Sequence, residues 1–147
     1  MFVKVIDGQL ERIYNTTTDF RRDKPNISFP KEIPNDMLAS YGVFPVIRLA
    51  VPEFNSLIES LVIQSIPTEA NGVWTVGYDV VQKSEEMAQS NIRRERDRLL
   101  SACDWVTLKS IDTNTSIDAD WVTYRQALRD ITAQDGFPYS VTWPTKP

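Results

Sequence analysis

The chain has 147 residues with 16 Lys and Arg against 20 Asp and Glu, no His and one Cys, and 41% of its residues are hydrophobic. That length suits one compact domain, or one domain with a small appendage, and the hydrophobic content argues against overall disorder. A net charge of −4 excludes the broad basic footprint of a nucleic-acid binder. The lack of His removes the commonest general base and transition-metal ligand, and a lone Cys excludes an internal disulfide or a zinc cage. Neither the start, Met1-Phe2-Val3-Lys4, nor any later window has the apolar run of a signal peptide or a membrane span. The expectation is therefore a soluble, cytoplasm-like protein with no cofactor, no metal, no nucleic-acid partner and no membrane partner.

Proline divides the chain, because six of the nine lie at or before Pro67 and three at or after Pro138. Regular helix thus belongs to the stretch between them, and strands and turns to the first 80 residues. Phe2–Ile6 and Gln9–Tyr14 flank Asp7-Gly8, a type I′ turn pair, and predict an opening hairpin. Residues 15–34 are polar and proline-punctuated, which predicts an ordered surface loop. Asn35 to Tyr41 reads as one helical turn capped by Asn35 and stopped by a left-handed Gly42. Val43–Leu49 returns to strand character, and Pro45 argues for an edge position. Ser56–Ile66 and Val73–Val81 then predict a second strand pair with Asn71-Gly72 as its turn signal. All of this implies a small antiparallel β-sheet module over residues 1–82.

At Ser84 the period changes. Ser84 is a plausible N-cap, Glu85 and Glu86 suit the positive end of a helix dipole, and Ala88, Ile92, Leu99 and Cys103 recur at helical spacing. A second helix is predicted from Asp118 to Asp135 with Trp121, Tyr124, Leu128 and Ile131 on one face and Gly136 as its left-handed stop. The pair would form an αα-hairpin over residues 83–147, with a connecting loop and an extended Trp-Pro tail. The fold class is accordingly α+β.

No residue set supports catalysis. Asp118 and Asp120 fit helix capping, while Asp104 and Asp112 sit in the predicted loop without a second acid cluster. Asp97, Arg98, Arg125, Arg129 and Asp130 read as inter-helix ion pairs, with Arg125 and Arg129 one turn apart and Asp97 and Asp104 opposite. Cys103 lies on the apolar face and reads as a buried thiol. The run Arg93–Arg98 is interrupted by Glu95 and Asp97, and residues 81–147 carry nine basic against ten acidic side chains. A solvated helix face is the better account of it. No glycine-rich phosphate loop is present.

Arg96-Asp97-Arg98-Leu99-Leu100, Cys103-Asp104-Trp105, the segment Trp121 to Ile131, Gly136-Phe137-Pro138 and the closing Trp143-Pro144-Thr145-Lys146-Pro147 form an ordered series. Over residues 93–147 that series resembles the carboxy-terminal domain of tailed-phage tail assembly chaperones and the ending of tail fibre assembly proteins. Ser28-Phe29-Pro30 and Tyr41-Gly42-Val43 resemble the front half of related phage proteins only loosely. The resemblance implies a bacteriophage tail fibre assembly chaperone that is not an enzyme. Its partner would be a trimeric tail fibre subunit whose folding and trimerisation it assists, with other tail or baseplate proteins as further partners. It implies a location in the host cytoplasm during assembly, or on the virion tail if the protein stays on the fibre. The alternative is a permanent structural adaptor of the tail or baseplate. The implied structural motif is Asp97, Asp104, Trp105, Trp121, Tyr124, Arg125, Arg129 and Trp143. The alternation of Phe137, Tyr139, Val141 and Trp143 suits a segment with one face buried, against the helices of its own chain or against the fibre, and Phe137, Tyr139 and Trp143 are the candidate partner-binding residues.

Overall fold

The computed structural model describes residues 1–147. It is a mixed α+β chain that divides into two compact units, residues 1–53 with 61–79, and residues 54–60 with 80–147. No helix is long and apolar enough to cross a membrane.

In the first unit, β1 (Phe2–Ile6) and β2 (Gln9–Tyr14) pair antiparallel. Asp7 and Gly8 both take positive φ between them, as a type I′ turn requires. Residues 15–34 are not wholly loop, because Thr17–Arg22 forms a short helix, α1. A reciprocal capping box starts it: the Thr16 side chain accepts from the Asp19 amide, and the Asp19 carboxylate accepts from the Thr16 amide. The helix buries Phe20 beside Tyr14, Phe29 and Tyr41. The next helix, α2 (Asn35–Ser40), begins one residue earlier than expected, since Pro34 is its cap and supplies no side-chain bond. Gly42 does take the left-handed conformation after it, at φ +70°. A side chain there would also crowd the Val5 carbonyl oxygen at 2.7 Å.

β3 (Val43–Arg48) corrects two expectations. It lies in the middle of a five-stranded sheet, and it runs antiparallel to β1 but parallel to β6 (Val73–Val76), so the sheet is mixed. Pro45 is tolerated there because β3 changes partner at that point. The Val46 amide donates to Met1 O on the β1 side (3.1 Å), so the Pro45 nitrogen faces the other side. There the β6 register begins only at Val46. No ladder donor is lost.

The expected long strand pair is also subdivided. β4 (Glu59–Ile63) pairs with β7 (Tyr78–Gln82) in a separate two-stranded sheet, whereas β5 (Thr68–Ala70) pairs with β6 across the Asn71-Gly72 turn. The break falls at Pro67 on one side and Gly77 on the other. Gln64 holds Gly77 from two directions: its side-chain oxygen accepts from the Gly77 amide and its own amide donates to Gly77 O, both at 3.1 Å.

In the second unit, α3 (Glu85–Ser101) starts at Ser84, whose hydroxyl accepts from the Met87 amide. The predicted loop that follows contains a third helix, α4 (Asp104–Thr113), closed by Asn114 in the left-handed region. The helical part is therefore not a two-helix hairpin. α5 (Ala119–Arg129) is capped by Asp118 and passes into a 3₁₀ turn, Asp130–Ala133. Gly136 does not stop it with a left-handed turn. Glycine is needed at 136 because a Cβ would collide with the Ser140 carbonyl oxygen, whose residue folds back to donate to Gly136 O.

Candidate functional site

The second unit holds a core of Cys103, Val106, Tyr124 and Leu128, with Leu99, Leu100, Ile117, Trp121 and Trp143 packed against it. Helical spacing explains the set. Leu99 near the end of α3 and Cys103 at the start of α4 are four residues apart, and Tyr124 and Leu128 stand one turn apart on α5. Trp121 stacks edge-on between Trp105 and Tyr124, with ring centroids 5.6 and 5.9 Å away. The Lys146 ammonium sits 5.8 Å from the Trp121 ring centre, which ties the closing segment to the same aromatic row.

Arg125 and Asp104 form an ion pair at 3.0 Å. The guanidinium also reaches the Cys103 sulfur at 3.1 Å and the Leu100 carbonyl at 3.4 Å, so one side chain joins the end of α3, the start of α4 and α5. The pair is asymmetric, with the Arg125 side chain 12% exposed and Asp104 59% exposed. Burial alone pulls the Arg125 pKa down. The hydrogen bonds to Asp104 and Cys103 outweigh that pull, and the net direction is upward. The charge is permanent.

Asp97 and Arg129 are not brought together. Asp97 pairs with its neighbour Arg96, and Arg129 only approaches the Gln126 side-chain oxygen at 3.5 Å. Arg98 is likewise answered within α3: it takes both Glu95 oxygens and holds that carboxyl below the ordinary range. Phe137, Tyr139 and Trp143 are half-buried rather than displayed. Phe137 lies under the Arg93 guanidinium, the Tyr139 hydroxyl donates to Lys83 O at 2.9 Å, and Trp143 lies on the helical core. Gln134 fixes the approach to Trp143 by donating to Thr142 O and accepting from the Thr142 amide.

Exposed apolar side chains occur instead on α4, where Leu108 and Ile111 are 61% and 70% exposed and Trp105 about half. Reading 104–117 as a loop hid them, although the i, i+3, i+6 spacing of Trp105, Leu108 and Ile111 was a helical signal. Between α4 and α5 runs a cavity of about 290 Å³ lined by Thr107, Ile117, Val122, Arg125 and Arg129. No group of His, Cys, Asp or Glu has the arrangement of a metal site. The arrangement offers apolar contact and fixed charge, the chemistry of recognition.

Among curated proteins and solved structures, no match to the chain was found. Residues 89–147, which span most of α3, all of α4 and α5 and the closing segment, match the family model of the phage tail assembly chaperone protein, and this supports a general tail assembly chaperone role for the chain.

Proposed function

We propose that the protein is a tail fibre assembly chaperone that binds a fibre subunit through its helical unit and shields apolar surface until the subunit trimerises. The observation that carries this reading is the match of residues 89–147, which falls on the helices bearing the exposed Leu108 and Ile111. Exposed apolar side chains rimmed by Asp112 and Lys109 are what a reversible holding surface needs, since they give contact area without a binding site for a small substrate. An unassembled fibre chain offers the complement, apolar surface and unpaired strand edges that would otherwise aggregate. The closing segment has an indirect part: it buries Trp143 on the core and thereby steadies the helices.

Co-expression of the adjoining fibre gene with and without this chain tests the proposal by the yield of soluble fibre trimer. Trimer that forms equally well without the chain refutes the chaperone reading. Stoichiometric recovery of the chain from purified virions would instead favour a permanent adaptor of the tail or baseplate.

A further inference from the structure

The cavity between α4 and α5 contains an uncommitted cation. Of the two guanidiniums on its wall, Arg125 is neutralised by Asp104, whereas Arg129 has no carboxylate within ion-pair distance. The nearest acid in sequence, Asp130, accepts from the Gln126 amide at 3.0 Å with both oxygens and forms no ion pair with Arg129. Around Arg129 the lining is Thr107, Ile117 and the half-exposed Val122. Ile111, exposed and one turn after Thr107 on the same side of α4, extends the apolar strip. The site is thus a small open cleft with an apolar side formed by Ile117 and Val122 and an exposed Arg129, which gives it net charge +1 on a chain whose net charge is −4.

We infer that this cleft docks an extended segment of the partner carrying an Asp or Glu side chain next to two or three apolar residues, with the carboxylate on Arg129. Charge complementarity selects that occupant. A guanidinium presents a planar fork of donors that fits a carboxylate two bonds at a time, and Ile117 and Val122 beside it offer contact to the apolar neighbours of that carboxylate. Arg125 is less suited to the task, since its charge is paired with Asp104 and both of its terminal nitrogens already donate, to Asp104, Cys103 and Leu100. The inference rests on the chaperone reading for the identity of the partner but not for the chemistry of the cleft.

Two measurements on the full chain test it. The first is capture of the co-expressed fibre subunit by the parent chain, Arg129→Gln and Arg129→Glu, with thermal melts as a fold check. We expect Arg129→Glu to weaken capture roughly tenfold, Arg129→Gln less, and the melts to coincide. Undiminished capture by Arg129→Glu overturns the inference. The second is an amide-shift titration with the blocked peptide acetyl-Leu-Glu-Ile-Val-amide and its Glu→Lys counterpart. Shifts at Thr107, Val122 and Arg129 with the Glu peptide, absent in Arg129→Gln and at least fivefold weaker with the Lys peptide, are expected. Equal shifts with both peptides, or none, overturn the inference. So do shifts at these residues that grow with the concentration of the chain alone, which would make the occupant a second copy. If the parent captures no fibre, the fibre reading fails while the titration still decides the cleft.

Discussion

Replacing Arg125 by Ala should destabilise the helical unit far more than replacing Asp104, although the two form one ion pair. The reason is where each partner lies. Asp104 is 59% exposed, so without Arg125 its carboxylate is hydrated at little cost, and Asp104→Ala should cost less than ~1 kcal/mol. Arg125 is 12% exposed, and its stem packs in the interface whose other bonds run to Cys103 and Leu100. Losing charge-assisted bonds together with packed methylenes should cost about 2 kcal/mol. The Leu100 carbonyl keeps the Cys103 amide as donor, which holds the figure below that of a fully orphaned group. For a unit of this size about 2 kcal/mol corresponds to roughly 10 °C in the melting midpoint. The assay is a double-mutant cycle by calorimetry with Arg125→Ala, Asp104→Ala and the double variant. Its coupling term should be about 0.5–1 kcal/mol. Arg125→Lys should recover only part of the loss, because one ammonium cannot span three acceptors. Equal shifts from Arg125→Ala and Asp104→Ala would refute the asymmetry argument, and no shift from either would show the pair to be solvated charge.

Trp143→Ala should lower the melting midpoint of the isolated protein by removing a half-buried ring from the helical core, at about 2 kcal/mol, less than for a fully buried Trp; an unchanged midpoint would show the tail to be inert. Gly42→Ala should cost about 2 kcal/mol or more, because the residue needs φ +70° and its Cβ would meet the Val5 carbonyl at 2.7 Å; denaturant melts resolving the first unit check this. Asp23 accepts from the Tyr14 hydroxyl and from Arg12, and these bonds hold its carboxyl below the ordinary range. A depressed folded-state value means that its contribution is present above the unfolded pKa and is lost as pH falls through the folded one. Stability of Asp23→Asn, followed by acid titration, should therefore lack part of the parent's fall in that acid window. Identical acid curves would remove Asp23 from the account.

Local rules placed much of the chain correctly because the groups that decide it are close in sequence. The Asp7-Gly8 and Asn71-Gly72 turns follow from their ability to take positive φ, and α3 follows from the Ser84 cap and the stripe through Ala88 and Ile92. The Thr16 and Asp19 capping pair that starts α1 is also local, and reading residues 15–34 as one proline-punctuated loop missed it. The family resemblance over residues 93–147 was carried by residue identity and spacing alone, and it agrees with the match over 89–147.

What needed the tertiary structure were choices between partners distant in the chain. Pro45 disfavours a central strand only if its nitrogen faces a ladder, and whether it does depends on β6 reaching β3 one residue later. The apolar spacing of Trp105, Leu108 and Ile111 is legible in the sequence, but that α4 turns Leu108 and Ile111 outward and buries only Val106 fully was decided by packing. The pairing of charges was likewise open. Sequence placed Arg125 and Arg129 one turn apart, yet helix packing brought Asp104 to the first and left the second exposed beside a small cleft without an acid partner. A Coulomb partner is chosen by distance in space, and spacing along one helix fixes only which side chains share a face.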